Sequence, residues 1–226
     1  MRVLKSFVLP LGILLFSVVQ CDEVEEGCEI AEFYMTPKYS SYKIETVALL
    51  PMAYDDTTEV GTFYSTNHFY NRLSEEYDSF KLIDIDKFVS SDSITIDNLL
   101  ISIRDSLRIN IDTFYTTDLG KFLKNNNCDA ILLGNVYEYY HIQNEPNLFK
   151  WLYIDKGIKV NFNYFMVSLF DGSILWAANI NGVSKYTYEL VYPPRQIPNP
   201  PLDTAISNGI DALLIKLKDE SIITKK

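Results

Sequence analysis

The groups able to do covalent or metal chemistry are few. The 226 residues hold three cysteines, Cys21, Cys28 and Cys128, and two histidines, His68 and His141. A metal centre or an activated nucleophile needs such groups at ligand or relay spacing, and neither histidine has a neighbour of that kind in the sequence. No HExxH, GxSxG, CxxC or glycine-rich phosphate loop occurs. Asp84-Ile85-Asp86 pairs two carboxylates that could hold a divalent cation, but a strand with one wet face produces the same spacing without function. The expectation is no catalysis, no metal and no cofactor, with structural roles for both histidines.

The cysteines carry the remaining chemistry, and what precedes Cys21 frames it. Arg2 and Lys5 lead an uncharged apolar run from Phe7 to Val19. It falls short of the roughly 20 residues that span a bilayer and has the build of a secretory signal. Val18-Val19-Gln20-Cys21 resembles the bacterial lipoprotein signal, in which the cysteine takes a diacylglyceryl thioether and becomes the new N-terminus. Gln20 stands where that pattern has a small residue, and ordinary cleavage after Cys21 is the second reading. Both leave Cys28 and Cys128 in an oxidising compartment, where they could pair or stay free thiols. A bridge would close a loop worth about 4.7 kcal/mol in the chain-entropy account.

Charge narrows the partners. The chain has 20 basic against 30 acidic side chains, and loss of a leader with Arg2 and Lys5 leaves 18 against 30. That balance excludes nucleic acid as an expected partner. With 47% hydrophobic and 14% aromatic residues the chain can close one sizeable core. Residues 1–20 read as signal peptide, 21–42 as an acidic, solvated tether and 43–226 as one domain.

Within that domain, strand and helix patterns alternate. TVALLPM, Thr46 to Met52, is a short buried strand ended by Pro51. Ser65, Thr66 or Asn67 could cap a helix carrying Phe69, Tyr70, Leu73 and Tyr77. FKLIDIDKF, Phe80 to Phe88, reads as a half-wet strand. Ile96, Leu99, Leu100, Ile103 and Leu107 form a helical stripe, and a shorter helix begins near Thr117 with Leu119, Phe122 and Leu123 inward. Asp129 to Tyr140 is a strand. In VNFNYFMVSLFDGSILWAANI, Val160, Phe162, Tyr164 and Met166 share one face and Asn161 and Asn163 the other, and Asp171-Gly172 predicts a two-residue hairpin turn. A final helix places Leu202, Ile206, Gly209 or Ile210, Leu213 and Leu217 inward. The class is α/β, with a mixed, partly antiparallel sheet packed by about four helices.

Tyr137, Tyr139, Tyr140, Trp151 and Tyr153 crowd one region and could form a partner-binding surface or merely cover a sheet edge. The lipoprotein-like leader, VALLPM, FKLIDIDKF, LGKFLKNNNCDAILLGNVYEY and VSLFDGSILWAA together resemble one family group over roughly Ile44 to Leu217. It comprises the curli-secretion lipoprotein family CsgG, the outer-membrane lipoprotein activators of peptidoglycan synthases, and the N-terminal domain of TolB. The resemblance implies a compact domain in the bacterial cell envelope, lipid-anchored at the outer membrane, that binds another envelope protein. The alternative it implies is a homo-oligomeric subunit of a secretion assembly, for which Val136 to Ile142 and Trp151 to Ile154 are short as membrane strands.

Overall fold

The computed structural model describes residues 28–54, 62–83, 85, 93–143, 153–189 and 200–224. In chain order the elements are β1 (Glu29–Met35), a 3-10 turn (Tyr39–Ser41), β2 (Thr46–Leu49), β3 (Ala53–Tyr54), α1 (Thr62–Glu76), β4 (Lys81–Ile83) and α2 (Ser93–Ser106). There follow α3 (Ile111–Phe114), α4 (Asp118–Asn125), β5 (Ala130–Gln143), β6 (Tyr153–Ser168), β7 (Ile174–Glu189) and α5 (Leu202–Asp219). The strands form one mixed sheet in the order β1-β7-β6-β5-β2-β4, with β3 beside β5. β2 pairs in parallel with β4 and β5, while β5, β6, β7 and β1 run antiparallel. The expected α/β class with a mixed sheet is the observed one.

Two buried clusters lie on opposite faces of that sheet. On the first face, Val160, Phe162, Tyr164 and Met166 of β6 meet Phe69 and Leu73 of α1 and Ile206, Ile210, Leu213 and Leu217 of α5. Removing each large apolar side chain from water stabilises the fold by about 1.5–3 kcal/mol before entropy is counted. On the second face, Ile131, Leu133 and Val167 pack under Ile96, Leu99 and Ile103 of α2, Phe114 of α3, and Leu119 and Leu123 of α4. That second cluster covers only the end of the sheet near β2 and the β6–β7 turn. Among the described residues, the far halves of β5, β6 and β7 are helix-backed on the first face alone, which matches the apolar-asparagine alternation of Val160 to Tyr164.

Local signals explain most boundaries. Thr117 caps α4, accepting from the Gly120 amide at 3.0 Å, and Asn127 leaves the helix at φ 50°. His68 is half-buried and joins α1 to α5 through Nε2 and Asp211 Oδ1 at 2.9 Å, where Arg72 Nη1 also approaches at 3.2 Å. His141 is exposed beside the Tyr139 ring.

Several expectations need correction. Residues 21–42 are not a tether throughout: Glu29–Met35 is a sheet strand paired with β7 from Glu29↔Asn181 to Met35↔Trp176. Its alternation is broken by a register shift between Ile30 and Glu32, so Ile30, Phe33 and Met35 face the core at uneven spacing while the glutamates imitate a linker. Of the two alternatives left open for Cys28 and Cys128, the structure has the free thiols and no bridge. They belong to opposite ends of the sheet: Cys28 lies next to the row Glu29, Asn181, Asn161 and Glu138, and Cys128 precedes Ala130, with β7 and β6 between. Eight residues along β5 correspond to about 27 Å, far beyond the roughly 7 Å Cα separation that a bridge tolerates.

Smaller differences have equally local causes. α1 starts at Thr62, so Thr66 lies inside it, and its Oγ1 accepts from the Met52 amide at 3.2 Å instead of capping. Leu107 falls just past α2 at φ 56° and is 73% exposed, outside the stripe it was assigned to. The β6–β7 connection runs from Leu169 to Ser173, and within it only Gly172 takes a positive φ, 77°. β6 and β7 also reach much farther than the hydrophobic run, to Tyr153 and Glu189. Asp84 and Asp86, the carboxylate pair, lie outside the described residues, as does Cys21.

Candidate functional site

Register across the long strands assembles a surface that no short sequence window contains. On the second face, beyond the helical cover, Asn135 of β5 stands opposite Asn163 of β6, which stands opposite Asn179 of β7, which stands opposite Glu32 of β1. The next row is Glu138, Asn161, Asn181 and Glu29. Five asparagines and three glutamates thus line two rows across four strands, and all five asparagines are half-buried as residues. The row on the helical side is Leu133, Phe165, Ala177 and Tyr34.

Hydrogen bonds orient part of this face. Asn161 Nδ2 donates to Glu138 Oε2 at 2.7 Å. Tyr137 is the extra residue of a β5 bulge between Val136 and Glu138, and its hydroxyl reaches past β6 to donate to Asn179 Oδ1 at 2.9 Å. The amide oxygens of Asn135 and Asn161 are shut off from solvent and accept no hydrogen bond from a described residue. Among the described residues no group of three His, Cys, Asp or Glu side chains could hold a metal ion.

A groove of about 440 Å³ opens where the polar and aromatic rows meet, lined by Glu32, Tyr34, Asn163, Phe165, Ala177 and Asn179 among others. Tyr34 is 54% exposed there. Of the aromatic residues predicted to bind a partner, Tyr137 and Tyr140 lie on this face, 39% and 42% exposed. Tyr139 does not: it sits opposite Val160 and packs against the first cluster, because the bulge at Tyr137 reverses the alternation. Tyr153 begins β6, and Trp151 lies outside the described residues. Sequence reasoning missed the amide rows, although Asn161 and Asn163 together with Asn179 and Asn181, each pair at period two, were a readable signal.

A second cleft, of about 650 Å³, lies at the other end of the sheet beside Phe170, which is 89% exposed at the β6–β7 turn. At its edge Asp171 is held by several partners. Tyr42 donates to Asp171 Oδ2 at 2.8 Å, Ser173 Oγ and its amide approach Asp171 Oδ1 at 2.7 and 3.1 Å, and Arg108 donates to the Asp171 carbonyl at 2.9 Å. Partial burial opposes the charge on Asp171, but the Ser173, Tyr42 and Ser168 hydrogen bonds outweigh it and hold the carboxyl below its ordinary value. This is a latch that ties the chain leading into β2 to the hairpin. Nearby, burial pushes the Cys128 thiol up to about 12, so it stays protonated and inert, and burial also raises Cys28.

No family of known proteins matches the chain by sequence, and no curated protein does. Several solved structures align with it at low similarity. A PelC dodecamer from Paraburkholderia phytofirmans aligns over 83% of this chain and 94% of that one, at 11% identity and a TM-score of 0.43. Lipoprotein GNA1162 from Neisseria meningitidis aligns over 77% and 99%, at 14% identity and 0.37. The hypothetical protein CT253 from Chlamydia trachomatis aligns over 78% and 96%, at 11% identity and 0.44. Likeness of this depth supports no shared activity, partner or assembly.

Proposed function

We propose that this chain is an exported, lipid-anchored accessory protein of the bacterial cell envelope that works by binding, without catalysis. The observation that carries the reading is the two-sided construction of the β5–β6–β7 half. One side is a closed apolar core, and the other is a broad face of amides, carboxylates and exposed tyrosines. Such a face offers oriented donors and acceptors on a rigid sheet, a suitable platform for recognition. The leader ending in Val18-Val19-Gln20-Cys21 supplies the anchor, attached close before the strand β1 that borders the face.

Two measurements test this. Cys21→Ser should release the exported protein from membranes, and the parent should carry an acylated N-terminus. A photo-crosslinking side chain at Tyr140 should capture an envelope component that the same side chain at exposed Ile215, on α5, does not. An unprocessed protein retained in the cytosol, or equal capture from both positions, would overturn the proposal.

A further inference from the structure

The groove at the meeting of the aromatic and amide rows has a shape that specifies a ligand class, resting on the binding role proposed above. Phe165, Ala177 and Tyr34 stand in register on three successive strands, so a methyl group lies between two aromatic side chains. Their strands are two steps apart, about 10 Å. Both aromatic residues and the alanine line the same groove. A small residue between two large ones leaves a slot open above the strand, where a third large side chain would have closed it.

Polar groups flank that slot on the side of the amide rows. The next row presents Asn163, Asn179 and Glu32, all lining the groove. Because Asn179 Oδ1 accepts from the Tyr137 hydroxyl, its NH₂ group is turned to donate elsewhere, and Tyr137 is a positioning residue for it. Asn163 offers both a donor and an acceptor, the pair that matches two adjacent hydroxyls, and Glu32 can only accept when ionised. A ligand fitting this set has a thin ring with apolar C–H faces and hydroxyls along its edge. The negative quadrupole of an aromatic face favours C–H groups placed over it.

We infer that the slot between Tyr34 and Phe165 binds one pyranose ring of a neutral glycan. Among the described residues lining the groove Glu32 is the one carboxylate and no lysine or arginine is present, and the chain's formal net charge is -10, so sugar acids and sulfated sugars are disfavoured by like charge. The open groove admits a chain that continues along the amide rows in either direction, with Tyr140 on the same face.

The experiment uses the full-length protein purified in detergent and calorimetric titration with neutral tetrasaccharides of glucose and of N-acetylglucosamine, with tetragalacturonate as the anionic comparison. At least one neutral tetrasaccharide should bind saturably, and tetragalacturonate should not. Ala177→Leu, which fills the slot and keeps every polar group, and Tyr34→Ala, at an exposed site, should each weaken binding about tenfold or more. Tyr137→Phe should weaken it by a smaller factor and leave thermal stability unchanged. No binding by either neutral sugar at millimolar concentration, equal binding of the anionic one, or indifference to Ala177→Leu in a folded variant would each overturn the assignment. Capture of a protein at Tyr140 with no sugar binding would overturn the glycan and leave the accessory role standing.

Discussion

Gly182 lies where α5 comes down onto β7, and its replacement tests whether that helix backs the amide face as described. A Cβ there would sit 2.2 Å from the Ala205 carbonyl oxygen and 2.9 Å from its carbon, against an ordinary contact of 3.4 Å or more. The obstacle is backbone, so relief requires α5 to move by about 1.2 Å, the difference between those distances. Yet α5 is held by Ala205, Ile206, Ile210, Leu213, Leu214 and Leu217, all buried. Overpacking of this kind costs about 1–3 kcal/mol, and the loss of glycine's unfolded-state freedom returns about 0.4–1 kcal/mol. Gly182→Ala should therefore destabilise by about 1–2 kcal/mol, a fall in melting temperature of about 2–8 °C for a domain of this size. The comparison is Gly157→Ala on β6, whose Cβ would meet the Ser184 oxygen at 3.2 Å and Ile142 Cβ at 3.5 Å. That variant should be neutral or slightly stabilised. Urea melts of both, read by far-ultraviolet circular dichroism, decide it: equal midpoints for the two variants would refute the seating of α5 on β7.

Other consequences can be measured in the same preparations. Asp171→Asn should lower stability at neutral pH, because the folded carboxyl has a depressed pKa and its contribution is complete above the unfolded value of about 3.9. As pH falls through the folded value that contribution vanishes, so parent and variant melts should converge in acid; a pH-independent gap would refute the latch. Phe33→Ala removes the ring stacked on Trp176 at 6.2 Å, and since Phe33 is only half-buried the loss should be about 1–3 kcal/mol, below the 3–5 of a full core phenylalanine. An unchanged melt would return Glu29–Met35 to the status of a tether. Unfolding without reductant should leave Cys28 and Cys128 both open to alkylation, counted by mass, while in the folded protein Cys128 should resist labelling at mildly alkaline pH because burial holds it near 12.

The sequence was legible where one interaction range sufficed. The start of α4 near Thr117, the apolar stripe of α5 and the alternation of Val160 to Met166 each depend on neighbours within a few residues, and each is present. It was misleading where a bulge intervened. One extra residue at Tyr137 moved Tyr139 to the core side and split the aromatic group, and the register shift after Ile30 hid a strand among glutamates. Periodicity cannot report such a shift, because bulges are set by the partner strand.

By itself, the sequence determined the α/β class, the apolar face of the central hairpin and the acidic charge balance. These follow from side-chain chemistry and from spacing along the chain. The tertiary structure alone decided which asparagines stand abreast, that Ala177 separates Phe165 from Tyr34, and that Cys28 and Cys128 are at opposite ends of the sheet. The reason is that residues on neighbouring strands are brought together by pairing register, and register is a property of the closed sheet, fixed only when both faces and every bulge are in place.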